Sequence, residues 1–174
     1  MARKNEPAYQ RLIQLVDPYY YLDRLLMPKY LINSAGDQFF LPDSSRFYFD
    51  QLSGEKYLRY VPNTDHSLFG SDGLAGVAVF AGMVARGTAR PRFSWRMEKD
   101  GSIRLSVTDQ PAEVRLWQAT NPDARDFRLA ALGGVWTSRL IGGDGKGAYI
   151  GRIRPPERGW TAFFIELTYQ LNNG

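Results

Sequence analysis

The sequence predicts a mixed α/β chain: a parallel sheet with crossover helices over about residues 8–88, then a small antiparallel β-sandwich over about 92–172. Three observations carry this reading. Apolar, β-prone runs alternate with helical periods through the first half. After Pro91 the helical period disappears, and short alternating runs follow between Gly, Pro, Asn and Asp. The joint between the two patterns, "RGTARPR" at 86–92, has loop composition.

Taken in order, "PAYQRLIQLVDP" places Leu12, Ile13, Leu15 and Val16 on a helix that ends near Pro18, and "YYYLDRLL" gives a short helical turn before Pro28. "KYLIN" suits a strand buried on both faces. "DSSRFYFDQL" reads as a helix capped by Asp43 or Ser44, with Gly54 beyond its end. "KYLRYV" is a second strand, and "PNTDHSLFG" a loop. From Ser71 or Asp72 as cap, "GLAGVAVFAGMVAR" reads as a small-residue amphipathic helix closed by Arg86 and Gly87. "RFSWRMEKDGSIRLSVTD" alternates around a Lys-Asp-Gly turn, as a hairpin does. "AEVRLWQAT", "DFRLAA", "VWTSRLI", "GAYIGRI" and "WTAFFIELTYQL" complete a set of short strands suited to a sandwich of the immunoglobulin or fibronectin type.

Composition excludes several classes of chemistry. With no cysteine there is no disulfide framework, thiolate metal site or thiol nucleophile, and one histidine without a carboxylate cluster argues against zinc. No cofactor is expected. The N-terminal stretch lacks the apolar core of a signal peptide, and no run reaches bilayer length, so the chain as written reads as soluble with no membrane span. Residues 1–85 carry 8 Lys/Arg against 9 Asp/Glu, whereas 86–174 carry 14 against 9. The basic half raises polyanion binding, but its arginines are scattered over strands, so no nucleic-acid partner is expected. "GGDGKGAYIG" lacks the spacing and Lys-Ser/Thr ending of a phosphate loop and reads as a hairpin turn.

One pairing of residues points to chemistry. Parallel sheets collect functional groups beyond the carboxyl ends of their strands. Asp37 follows "KYLIN" and His66 follows "KYLRYV", so adjacent strands would deliver a carboxylate and the chain's one imidazole to the same sheet edge. A carboxylate there would hold the Nδ1 proton and stabilise the imidazolium formed when Nε2 takes a proton from a nucleophile. Phe39 and Phe40 follow the acid and are candidates to line a substrate crevice. Asp43 reads as a helix cap, and Asp65 points elsewhere on an extended loop. There is no G-x-S-x-G; "INSAG" comes nearest, with Ile32 in place of the first glycine, and its Ser34 reads as a polar strand end.

The blocks "DPYYY", "MPKYLIN", "GDQFFLPDSS", "GEKYLRYVPN" and "DHSL" closely resemble the PhoPQ-activated pathogenicity-related protein family, which includes autocrine proliferation repressor-like proteins. The resemblance continues more loosely through "VRLWQATNPDARDFR" and "GWTAFFIELTY". It implies the C-terminal part of an α/β-hydrolase-like sheet followed by a small β-domain, in proteins that are usually exported and linked to virulence. By motif position Asp37 matches the triad acid and His66 the triad histidine. Members of that family are longer, and the part bearing the serine elbow and oxyanion hole would precede this sequence. The expectation is therefore a fragment that is inactive alone, whose partner is the missing N-terminal half and whose substrate is a small ester, amide or peptide. A non-catalytic binding protein using its basic β-sandwich is the alternative.

Overall fold

The computed structural model describes residues 5–170, so positions 171 and 172 of the second predicted segment lie outside the described residues. Helix α1 (Pro7–Val16) starts on a proline, whose missing N–H costs nothing in a first turn. It buries no residue, and Leu12, Leu15 and Val16 are exposed. A 3₁₀ helix (Pro18–Arg24) follows, opened by the Asp17 carboxylate accepting the Tyr19 N–H at 3.0 Å.

Strands β1 (Lys29–Ser34) and β2 (Lys56–Val61) form a two-stranded sheet. The Lys29 amide donates to Glu55 O, and the Ala35 amide donates to Val61 O at 2.8 Å. Both strands therefore advance together, in parallel. Among the described residues this sheet has two strands. That corrects the expectation of a strand buried on both faces: β1 is half-buried until Ser34.

Each strand opens on a lysine whose ammonium is saturated by main-chain carbonyls. Lys29 Nζ donates to Leu25 O, Met27 O and Ser53 O at 2.6–2.8 Å. Lys56 Nζ donates to Phe49 O, Asp50 O and Leu52 O, and also sits 4.9 Å from the Phe49 ring centre. The second set lies beside another departure. The predicted helix over "DSSRFYFDQL" is two 3₁₀ segments, Pro42–Phe47 and Phe49–Gln51, and Lys56 takes up carbonyls at the end of that stretch, where the last turn of a helix leaves them without partners. Asp43 lies inside the first of these turns, 3.4 Å from Arg46, rather than at a cap position.

Helix α2 (Gly73–Ala85) is bounded as expected, with Asp72 at its N-cap position and Gly87 past its end at φ +65°. Thr88 N donates to Met83 O and Gly87 N to Val84 O, the paired closure that glycine in a left-handed conformation permits. The helix is not amphipathic. No side chain in "GLAGVAVFAGMVA" is polar, and Leu74, Val77, Val79 and Val84 are exposed.

The second half forms two antiparallel sheets. Strands β3 (Phe93–Met97), β4 (Ile103–Val107) and β7 (Ala148–Gly151) make one in the order β3-β4-β7. Strands β5 (Glu113–Asn121), β6 (Thr137–Leu140) and β8 (Trp160–Thr168) make the other, with β5 central and paired to β8 from Glu113↔Thr168 to Asn121↔Trp160. Alternation along β5 and β8 sends their side chains to two different cores. Val114, Ile165 and Leu167 meet Leu105 and Tyr149 of the other sheet. A Cβ on Gly151 would lie 2.8 Å from Ile165 and 3.1 Å from Leu116, so the two sheets pack closely there. On the opposite face, Ala119, Trp117, Ala162 and Phe164 pack with Trp136, Phe127, Tyr60 and Ala35.

The expected strand in "DFRLAA" is instead a one-turn helix, α3 (Leu129–Leu132). Both edges of β5 are already taken by β6 and β8. Asn121 turns the chain beyond β5, accepting from the Asp123 and Ala124 amides and donating to Asp126 O at 2.7 Å.

Two compact units divide the molecule. One holds the chain up to Leu31 with Asp43–Leu58, and the other holds Ile32–Pro42 with the chain from Arg59 onward. Asp37, His66 and the antiparallel sheets all lie in the second.

Candidate active site

The ends of β1 and β2 are locked by two buried hydroxyls. Ser34 Oγ donates to Thr64 O at 2.6 Å and accepts the Gly36 N–H at 3.1 Å. Thr64 Oγ1 donates to Val61 O at 3.0 Å and lies 3.1 Å from Ser34 Oγ. Ser34 is 2% exposed, so "INSAG" carries a structural serine and no nucleophile.

Immediately beyond this lock stand the two predicted site residues. Asp37 Oδ2 lies 2.9 Å from His66 Nδ1. The other oxygen, Oδ1, accepts the main-chain N–H groups of Phe39 at 2.7 Å and Phe40 at 2.9 Å. The carboxylate thus cannot swing away without losing two hydrogen bonds from main-chain N–H groups. Burial works to raise its pKa, but the Phe40 amide, the His66 ring and the Phe39 amide together hold it below the usual carboxylate range. An ionised carboxylate only accepts, so this contact requires the proton on Nδ1, and in the neutral ring that leaves the lone pair on Nε2. The Asp37 side chain is 10% exposed and that of His66 is 44% exposed. The carboxylate is screened from solvent, and the imidazole meets it.

Phe39 stands edge-on to the imidazole with ring centres 5.1 Å apart, and Phe40 is tilted against it at 5.4 Å. Both phenylalanines remain exposed, as do neighbouring Leu41 and Phe69. Gln38, which the sequence did not single out, accepts the His66 main-chain N–H through Oε1 at 3.2 Å. Asp65 turns back on its own loop, accepting from the Ser67 hydroxyl at 2.6 Å and amide at 2.9 Å.

Gly36, Asn63 and Leu129 were also unmarked by sequence reasoning. A Cβ on Gly36 would fall 2.5 Å from Thr64 O and 2.9 Å from Leu129 N. Such close approach of three backbones is a reason for glycine immediately before the acid. Among the described residues, no group of three or more His, Cys, Asp or Glu side chains could hold a metal ion, and no helix is long and apolar enough to cross a membrane.

The family model described as PhoPQ-activated pathogenicity-related protein matches residues 1–128. Autocrine proliferation repressor protein A of Dictyostelium discoideum is 34% identical over 187 residues, an alignment that covers 95% of this chain and 38% of the relative. The chain thus spans well under half the length of that relative. No solved structure matches. The family match takes in β1, β2, both loops of the Asp37–His66 pair and strands β3 to β5, and on it the chain belongs to the PhoPQ-activated pathogenicity-related protein family.

Proposed function

We propose that Asp37 and His66 are the acid and the general base of a serine-hydrolase triad acting on an ester or amide. The observation that carries this is the carboxylate itself. One oxygen is held by two amides and the other is aimed at Nδ1, which is how an acid fixes the tautomer of a base. On this reading the parallel pair β1-β2 belongs to a larger α/β-hydrolase-like sheet. Residues 92–172 would be its appended immunoglobulin- or fibronectin-like β-domain.

The nucleophile and the oxyanion hole would come from sequence outside these 174 residues, for which the 38% coverage of the relative leaves room. Stabilising the oxyanion commonly contributes more to acyl-transfer rates than any other single effect, so the chain alone would be inactive. A fluorophosphonate probe tests this. Labelling is expected in the longer protein and lost on His66→Ala, with none in the 174-residue chain. Labelling of that shorter chain would overturn the missing nucleophile. A longer protein that never labels would overturn the triad and leave a binding role for the β-domain.

A further inference from the structure

The connection between β5 and β6, residues 122–136, touches both loops of the Asp37–His66 pair. Midway along it the Leu129 N–H donates to Gly36 O at 3.0 Å, one residue before the acid. At its far end, Asn63, three residues before the histidine, grips the main chain of Trp136. Its Oδ1 accepts the Trp136 N–H at 2.9 Å and its Nδ2 donates to Trp136 O at 3.0 Å. Two such bonds from one planar amide fix orientation as well as distance. Their anchor is rigid, because Trp136 is 7% exposed and its ring centre lies 5.2 Å from that of Phe164. Asn63 also holds a left-handed backbone at φ +55°, a conformation that asparagine tolerates better than most side chains.

We propose that the β5–β6 connection positions the Asp37–His66 pair, and that Asn63 is the positioning residue through which it holds the histidine loop. Neither loop is held only by its own strand. One outside segment is bonded to both, in addition to the Ser34–Thr64 lock and the Gln38–His66 bond that join them directly, so the antiparallel half of the chain contributes to the site's scaffold. The consequence for turnover rests on the hydrolase reading; the effect on the imidazole does not.

The chain has one histidine, so its ¹⁵N and ¹H resonances report this ring alone. With the ring neutral, the proton is expected on Nδ1 in the wild-type 174-residue chain. Asn63→Gly keeps the left-handed backbone free of strain and removes the bridge. It is expected to move the tautomer population from mainly Nδ1–H toward that of Asp37→Asn, while the remaining amide spectrum stays dispersed. Asn63→Asp retains the acceptor for Trp136 N but loses the donor, and should fall between. A folded Asn63→Gly chain with the wild-type tautomer would overturn the proposal. If that variant does not fold, a wild-type tautomer in Asn63→Asp overturns it. In the longer protein, Asn63→Gly should lower kcat by about 10²-fold with KM little changed, the effect of a slightly displaced base. Absence of any hydrolysis there would count against the triad and leave the tautomer result standing.

Discussion

Gly36→Ala tests how tightly the two loops of the site are pressed together. The added methyl would lie 2.5 Å from Thr64 O and 2.9 Å from Leu129 N, where ordinary contact begins at 3.4 Å. Both neighbours are backbone atoms, so neither can turn aside as a side chain would. Overpacking of this kind costs about 1–3 kcal/mol. Separating the chains also stretches the bond from Leu129 N to Gly36 O and that from Gly36 N to Ser34 Oγ, each worth about 0.5–1.5 kcal/mol. Against this, alanine restricts the unfolded chain and returns about 0.4–1 kcal/mol. The net loss should be about 1–6 kcal/mol, a fall in Tm of roughly 2–24 °C for a chain of this size. Thermal unfolding followed by near-ultraviolet circular dichroism measures it. An unchanged Tm would show that Thr64 and Leu129 do not confine Gly36, and would remove the steric account of the loop.

Other expectations can be checked alongside. Leu116 is 1% exposed between the two antiparallel sheets, so Leu116→Ala should cost about 2–5 kcal/mol in urea unfolding; a cost under about 1 kcal/mol would mean that the sheets collapse onto the gap. The folded-state pKa of Asp37 lies below its ordinary 3.8, so the folded chain binds fewer protons there than the unfolded one. That contribution is complete above the unfolded value and is lost as pH falls through the folded one. Asp37→Asn should therefore flatten the decline of Tm with acid below about pH 4, and an identical acid limb in both proteins would refute the assignment. On the proposed hydrolase reading, Asp37→Asn in a longer protein carrying the nucleophile should cut kcat by about 10⁴-fold, as loss of the orienting acid does in serine triads. A loss of less than about tenfold would deny Asp37 that role.

The site was legible in part because parallel strands obey a spatial rule. Two apolar runs, each followed by a polar residue able to do chemistry, put Asp37 and His66 at one sheet edge, and they meet at 2.9 Å. The contacts that hold them there were not legible. Asn63 and Trp136 are 73 residues apart, and no periodicity links them. A hint was present in "PNTD", since asparagine after proline favours a turn or left-handed backbone. Local propensity failed where long-range pairing decided the outcome. "DFRLAA" became a helical turn whose Leu129 amide bonds Gly36 O, a partner distant in sequence, and "DSSRFYFDQL" tightened to 3₁₀ turns with carbonyls that face Lys56. Helix α2 misled in another way: its composition was read as one apolar face, yet every side chain in it is apolar.

The two strand-opening lysines have a practical consequence. Amine-reactive reagents must reach the ε-amine, and on Lys29 and Lys56 that group is half-buried and held by three main-chain carbonyls. Of the four lysines among the described residues, Lys29 and Lys56 should acylate slowly, whereas exposed Lys99 and Lys146 should react freely. Amine cross-linking would then return distance restraints from the antiparallel half and almost none from the strand pair beside the imidazole. Carboxylate-directed chemistry is the better route to mapping what that pair touches.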